Sequence, residues 1–256
     1  VEHFRNDFDK LREDIGVEPR EVTLLEWNAT MWQRDFCNDS CFKAAWLARN
    51  IAENYDAFWG MGYWTVNDMQ EETAPGGTPF HGGYGLHTVQ GIAKSGYYAL
   101  YLLNKMGTEV LLRGDGYLVT RNGSGIQFLL YNYCHYDALF QKHYMGDESP
   151  DACYDRFVEK ADSRFLIELS GLPAGEYKLR KWQVSRDHGS SFDAWMDMGE
   201  PEYLDPEEIS LLKTASMPRY RVWNEHVTAA HTLHLQTLLE PHEIQMIDIQ
   251  LGRDAK

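Results

Sequence analysis

The sequence lacks the features of a membrane, secreted or nucleic-acid-binding protein. No apolar run approaches the roughly 20 residues that a membrane-spanning helix needs, and the N-terminus has neither the basic nor the apolar region of a signal peptide. Positive charge is scarce, since 24 Lys and Arg stand against 39 Asp and Glu and the formal net charge is −15. An acidic surplus repels phosphate backbones and anionic lipid headgroups. We therefore expect a cytoplasmic protein in which this stretch binds neither nucleic acid nor membrane.

Cysteine is also scarce, with four in 256 residues. Such a number, scattered along the chain, does not form the disulfide framework of a small secreted domain, so we expect reduced thiols. Cys37 and Cys41 have i, i+4 spacing, but no Cys-x-x-Cys or matching His pair completes four metal ligands. We predict neither a metal nor a cofactor. What the chain does contain, 43% hydrophobic and 13% aromatic residues, is ample for a core.

Residues 1–107 alternate between helix and strand patterns. Apolar residues recur at helical spacing through residues 1–15, and Asn38-Asp39-Ser40 offers N-cap groups before a second apolar stripe. The run 57–66 is nearly continuous in apolar residues, which is typical of a strand buried on both faces of a parallel sheet. With a strand at 22–27 and a helix at 96–106, this order predicts part of a β/α barrel or a doubly wound sheet.

Residues 108–256 have a different pattern. Short β-rich runs alternate with Gly-containing turns, which predicts a series of hairpins. The segment therefore predicts an antiparallel β-sandwich with one helical insert, and we place the domain boundary near Gly107. The expected strands are 109–112, 117–120, 126–131, 164–169, 177–184, 232–239 and 244–251, and the expected helix is 206–215.

Glu26 ends the first predicted parallel strand. Catalytic groups of β/α barrels lie at the C-terminal ends of strands, where the loops converge on one mouth. A solvated carboxylate or a structural ion-pair partner would explain Glu26 equally well. Position alone leaves these alternatives open.

Aromatic and acidic residues follow the second predicted strand. Trp64 ends that strand, and Asp68, Glu71 and Glu72 lie just beyond it. Aromatic rings beside carboxylates suit a sugar, which offers apolar faces for stacking and hydroxyls for charge-assisted hydrogen bonds. The aromatic residues could instead be core, and for Trp59 this is the favoured interpretation. The Gly-rich turn around His81 allows a close backbone approach but is weak evidence for phosphate binding.

Several spaced motifs together resemble glycoside hydrolase family 39, the β-xylosidase family. They are Leu25-Glu26-Trp27-Asn28, Asp39-Ser-Cys-Phe-Lys-Ala-Ala, Tyr63-Trp64-Thr65, Phe80-His81-Gly82-Gly83-Tyr84-Gly85-Leu86, Tyr97-Tyr98-Ala99, Asn104-Lys-Met-Gly107 and His188-Gly189-Ser190 with Trp195. The resemblance covers nearly the whole chain. It implies that residues 1–107 are the C-terminal portion of a (β/α)8 barrel and that residues 108–256 are a β-sandwich accessory domain.

The resemblance also implies roles for particular residues. Glu26 matches the nucleophile of the family, and Trp64 and Glu72 match residues that hold the sugar in the first subsite. Asn28 and His81 are expected to bind substrate beside them. The implied substrate is a β-xyloside or a related oligosaccharide, cleaved with retention.

The partner carboxylic acid of the family lies in an Asn-Glu-Pro element on an earlier strand. No Asn-Glu-Pro occurs in these 256 residues, and the chain begins at Val1. We therefore expect that an upstream part of the same polypeptide, or another chain, completes the barrel, and that this stretch alone is inactive.

Finer details favour one subgroup of the family. Residues 38–43, Asn132-Tyr133 with His135-Tyr136, and Arg186-x-His188-Gly-Ser-x-x-Asp193-x-Trp195 are similar to the modules fused to AraC-type transcription regulators. The alternative to a glycosidase is therefore a non-catalytic sugar-sensing module. Histidines of the second half, at positions 135, 143, 188, 231 and 234, are expected to be structural or at the surface.

Overall fold

The computed structural model describes residues 2–18, 21–70, 76–123, 125–137, 149–228 and 232–251. Its helices are α1 (Glu2–Asp14), α2 (Cys41–Asn54), α3 (Ser95–Leu103), α4 (Ser191–Asp197) and α5 (Pro206–Ala215). Its strands are β1 (Thr23–Trp27), β2 (Gly60–Tyr63), β3 (Glu109–Gly114), β4 (Tyr117–Asn122), β5 (Gly125–Tyr131), β6 (Ser163–Ser170), β7 (Gly175–Val184), β8 (Arg219–Val227), β9 (Thr232–Leu239) and β10 (Ile244–Leu251). Among these residues, no helix is long and apolar enough to cross a bilayer.

The first part contains a parallel strand pair connected through a helix. β1 pairs with β2 in parallel, from Thr23 opposite Gly60 to Trp27 opposite Tyr63. α2 lies between these strands in sequence, and its residues 41–48 are all buried. The predicted alternation of helix and parallel strand is confirmed here.

β2 is shorter than the apolar run predicted. It spans four residues instead of the ten from 57 to 66, and Trp59, expected in the core, is 73% exposed. That expectation was wrong because β2, in the part of the chain that the structure describes, pairs with β1 alone. A two-stranded sheet cannot cover both faces of an apolar run.

The second part consists of two antiparallel sheets. Six strands lie in the order β3-β4-β5-β10-β7-β8, and β6 pairs with β9 separately. The sheets share a layer of apolar side chains, so they pack face to face. The buried members of this layer are Val119, Phe128, Leu130, Tyr177, Leu179, Val227, Leu233, Leu239, Ile247 and Ile249.

The other face of the six-stranded sheet packs on the helices. Phe42 and Leu47 of α2 share one buried cluster with Leu129 of β5 and Met246 of β10. The main apolar core therefore joins the two parts of the chain across Gly107. The assignment of 1–107 and 108–256 as separate domains stays a prediction.

Gly107 gives a stability prediction at this junction. Its N–H donates to Thr120 Oγ1 at 2.8 Å, and a Cβ on Gly107 would lie 2.1 Å from the Arg121 carbonyl oxygen. Backbone cannot yield as a flexible side chain can, so we expect Gly107→Ala to lower the free energy of unfolding by about 1–3 kcal/mol. Urea denaturation would measure the loss.

A matched control for this substitution is Gly77→Ala. A Cβ on Gly77 meets only Glu202 Oε1, at 3.7 Å, which is ordinary contact. Its stability should stay within about 0.5 kcal/mol of the original. Equal effects of the two substitutions would contradict a steric role for Gly107.

Candidate active site at the ends of the parallel strands

Glu26 lies at the end of β1. Its neighbour Trp27 packs on Trp46 of α2, with ring centroids 4.6 Å apart. The register of the β1–β2 pair shifts between Leu24 and Trp27. Glu26 is exposed and lies within this irregular end of β1, next to Trp27.

Trp64 continues β2 by one residue. Its N–H donates to the Trp27 carbonyl at 3.2 Å, and the Trp64–Thr65 peptide is cis. The preceding Tyr63 faces α2, since its ring lies 5.8 Å from the Lys43 amine. The half-buried Trp64 therefore lies beside Trp27, the chain neighbour of Glu26.

Asn28 connects the ends of the two strands. Its Nδ2 donates to the Trp64 carbonyl at 2.5 Å. Its Oδ1 accepts from the Ala29 N–H at 2.7 Å and from the Lys43 amine. Both ends of the amide are therefore engaged within the protein, and a direct contact of Asn28 with a sugar stays a prediction.

Of the other two predicted sugar-binding residues, the structure describes His81. His81 is buried, and its Nδ1 lies 2.9 Å from the Thr78 carbonyl oxygen. A Cβ on Gly76 would lie 2.3 Å from His81 Cβ, so the two segments are in close contact. Glu72 lies outside the described residues, and its role stays a prediction.

A buried ionic cluster supports the loops behind the site. Lys94 Nζ lies 2.5 Å from Asp39 Oδ1 and 2.8 Å from Asp68 Oδ2, and all three side chains are at most 1% exposed. Asp39 also accepts from the Gly82 N–H at 2.6 Å, and Asp68 accepts from the Gly85 N–H at 2.8 Å. The cluster therefore fixes the Gly-rich turn against the start of α2.

The charges of this cluster hold Lys94 in its protonated form. Burial by itself lowers the pKa of the Lys94 amine, but the Asp39 and Asp68 carboxylates more than offset burial, so that this pKa is raised. The Asp39 carboxylate thus contacts Lys94 and Gly82. It does not cap α2, whose N-cap position is occupied by Ser40. Asp68, considered above as a sugar ligand, is also enclosed in the protein.

Sequence reasoning missed the roles of Lys43 and Lys94. Both side chains are 1% exposed, although lysine is almost never fully buried unless it is paired. A signal was available for Lys43, which interrupts the apolar run of α2 between Phe42 and Ala44. Lys94 carries no comparable signal, since its carboxylate partners lie 26 and 55 positions away in the chain.

A separate wide cleft lies between α4, α5 and the start of β8. Its volume is about 1050 Å³, and Arg186 and Asp193 lie on its wall with Nε and Oδ1 2.8 Å apart. It is lined mostly by polar groups, among them Asp187, Asp197 and Glu200. None of the predicted site residues lines it, so its size does not identify it as the active site.

The histidines of the second half are surface or hydrogen-bonded groups where they are described. His135 Nδ1 lies 2.8 Å from the Tyr133 hydroxyl, and His188 Nε2 lies 3.0 Å from Arg219 Nη1. His234 is exposed. His143 and His231 lie outside the described residues.

Comparison with known proteins shows the family. The model of the family described as glycosyl hydrolases family 39 matches residues 1–230. The chain belongs to this family, which confirms the resemblance drawn from its motifs.

The similar proteins include enzymes and transcription regulators. A β-xylosidase of Geobacillus stearothermophilus is 24% identical over 232 residues, which cover 90% of this chain and 42% of that protein. An HTH-type transcriptional regulator of Staphylococcus aureus is 21% identical over 231 residues, which cover 90% of this chain and 29% of that protein. The regulator agrees with the predicted likeness to regulator-linked modules.

A solved structure shows the shared fold. The GH39 enzyme from Xanthomonas axonopodis pv. citri matches with a TM-score of 0.79 at 23% identity, over 96% of this chain and 48% of that chain. The two proteins therefore share this part of their fold. The chain spans less than half the length of each of these relatives.

Proposed function

We propose that this chain carries the nucleophile side of a retaining glycosidase site for β-linked xylosides. The observation that supports the proposal is the placement of Glu26, exposed at the end of a parallel strand and next to Trp27, whose carbonyl accepts from the Trp64 N–H. We call Glu26 and Trp64, at the ends of these two strands, the sugar platform. A tryptophan ring beside a carboxylate offers a stacking surface and a nucleophile to one pyranose.

Retention requires two carboxyl groups about 5–5.5 Å apart. In the proposed reaction Glu26 attacks the anomeric carbon, and the bond to the leaving oxygen breaks as a carboxylic acid protonates that oxygen. Water then attacks the glycosyl-enzyme ester, and the second carboxylate accepts its proton. We propose that the second group lies on an earlier barrel strand, supplied by an upstream part of the polypeptide or by another chain.

The family's Asn-Glu-Pro element is the reason for placing this group elsewhere. The one Asn-Glu pair of the sequence, Asn224-Glu225, lies in β8 of the six-stranded sheet. β1 and β2, as described, pair only with each other. The outer edges of β1 and β2 therefore have no neighbouring strand among the described residues. Stable proteins cover or protect such edges, and barrel strands from the rest of the protein would cover the edges of this pair.

The Trp64 ring should contribute a large part of the affinity for the sugar. Trp64→Ala removes the stacking ring, and we expect xylobiose binding by the full-length protein to weaken by about tenfold. Isothermal titration calorimetry measures the change. Trp64→Phe keeps an aromatic face and should retain most of the affinity, whereas equal affinity in the alanine variant would contradict the platform.

A second candidate function is a sugar sensor. It is favoured by the HTH-type regulator whose similarity extends over 90% of this chain. In this case the platform binds an oligosaccharide without cleaving it, and occupancy shifts the arrangement of a DNA-binding domain elsewhere in the protein.

Assay of the unmodified full-length protein separates the two functions. Turnover of a chromogenic β-xyloside supports the glycosidase. Binding of xylo-oligosaccharides without turnover, with loss of that binding in Trp64→Ala, supports the sensor. Neither binding nor turnover with any β-glycoside would contradict both.

A further inference from the structure

A buried lysine lies beside the strand ends that carry the sugar platform. Lys43 is in the first turn of α2 and is 1% exposed. Its Nζ lies 5.3 Å from the centroid of the Trp46 ring and 5.8 Å from that of Tyr63. The amine is thus held among aromatic rings, where a charge is stabilised less well than in water.

The hydrogen-bond partner of Lys43 is unusual for a buried amine. Among the described residues it donates to Asn28 Oδ1, and no carboxylate of that set lies within ion-pair distance. Lys94, buried to the same extent, has two carboxylates. A neutral amide partner offsets less of the cost of burying a charged amine than a carboxylate does, so the position of Lys43 calls for another explanation.

The contacts of Asn28 supply that explanation. The amide that accepts from Lys43 donates through Nδ2 to the Trp64 carbonyl at 2.5 Å. A continuous path of two hydrogen bonds therefore joins the amine to the backbone of the residue that forms the stacking surface. The amide plane of Asn28 cannot rotate without breaking one of them.

We propose that Lys43 is a positioning residue of the sugar platform, because its amine orients the Asn28 side chain and thereby fixes the Trp64 backbone and ring. The inference rests on the proposed function, in which Trp64 binds the sugar. It assigns a role to a residue that touches neither substrate nor the reacting atoms.

The protonation of Lys43 gives this role a pH dependence. Burial lowers the pKa of Lys43 to about 7, and the nearby acidic groups offset only part of the effect. Below that pH the ammonium donates a strong charge-assisted bond to Asn28, and above it the neutral amine is a weaker donor. Sugar binding should therefore weaken as the pH rises through about 7.

Two kinds of group that face Lys43 are held in one protonation state near neutral pH. Burial raises the pKa of the Cys37 thiol and of the Tyr63 hydroxyl well above their usual values, and Lys94 stays charged because the pKa of its amine is raised. The titratable and charged groups that face Lys43 are Asp35, Cys37, Asp39, Lys94 and Tyr63. Because these groups interact electrostatically with Lys43, the transition is assigned to Lys43 by a variant that keeps the positive charge, Lys43→Arg, and not by its loss in an uncharged variant alone.

The test compares Lys43→Met and Lys43→Arg in the full-length protein. We expect Lys43→Met to weaken xylobiose binding by about tenfold at acidic pH and to remove the pH dependence. Its melting temperature should be equal or higher, because replacing a buried charge by an apolar side chain is often neutral or stabilising. A purely structural lysine would give the opposite result, a lower melting temperature.

Lys43→Arg keeps a permanent positive charge, so binding should persist and no longer change around neutral pH. This variant remains informative if Lys43→Met does not fold, since a retained pH dependence would overturn the inference. Lys105→Met is the matched control, because the Lys105 amine also lies over a ring, that of Trp182, at 5.2 Å. It should leave binding and its pH profile unchanged.

A second readout needs no sugar. The indole N–H resonance of Trp64, assigned by its loss in Trp64→Phe, should move with pH around a midpoint near 7 in the unmodified protein and stay constant in Lys43→Met. A resonance that titrates identically in both overturns the inference. If the resonance depends on Lys43 but no xyloside binds, the positioning role holds and the proposed function fails.

Discussion

Replacing Glu26 by Gln in the full-length protein is expected to abolish hydrolysis of a chromogenic β-xyloside while leaving xylo-oligosaccharide binding largely intact. An amide keeps the size and much of the hydrogen bonding of the carboxylate, but it cannot attack the anomeric carbon. Loss of a nucleophile lowers kcat by on the order of 10⁴-fold or more. Steady-state hydrolysis and calorimetry, carried out on the same preparation, measure the two effects separately.

Because Glu26 is exposed, its replacement by Gln should not disturb the packing of the core. The amide on this exposed side chain also leaves no buried group unpaired among the described residues. Glu109→Gln is a suitable control, because Glu109 lies on β3 in an exposed ion pair with Arg121. Full turnover in Glu26→Gln would show that another group is the nucleophile.

Replacing Lys94 by Met is expected to cause the largest loss of stability. Lys94 is the cation in contact with both Asp39 and Asp68, which are fully buried. Removal of the amine leaves two adjacent buried carboxylates without a counter-charge, and breaking a buried ion pair typically costs about 3–5 kcal/mol. Urea denaturation near neutral pH should record a loss of this size in the free energy of unfolding.

Two comparisons test the cause of this loss. Arg113→Met breaks the exposed pair with Asp56, in which both side chains are more than 40% exposed, and should cost at most about 1 kcal/mol. Adding Asp39→Asn and Asp68→Asn to Lys94→Met removes the uncompensated charges and should restore part of the stability. A triple variant no more stable than Lys94→Met would contradict the electrostatic explanation.

Regular elements were predictable where the local pattern was strong. The helix predicted at 206–215 is observed as α5, where Asp205 forms a capping box with Glu208. The hairpin strands β4 and β5 agree with prediction to within two residues. In each case the pattern involves residues that are close in sequence, so the local structure it predicts does not depend on distant parts of the chain.

Two elements were missed because their signals are not periodic. β8 carries mostly exposed side chains, so it lacks an apolar alternation, and it becomes a strand by pairing along the edge of β7. α4 has only seven residues, too few to show a helical period. Its stability comes from Phe192 and Trp195, which are buried in the main core.

The sequence by itself determined the family, the order of helices and parallel strands, and Glu26 and Trp64 as candidate residues at strand ends. Only the tertiary structure decided that Asp68 is enclosed with Lys94, that Asn28 joins two strands, and that Lys43 donates to Asn28 beside the platform. The physical reason is that motifs and periodicity are local, whereas the burial of a charge depends on groups that the chain brings together from distant positions.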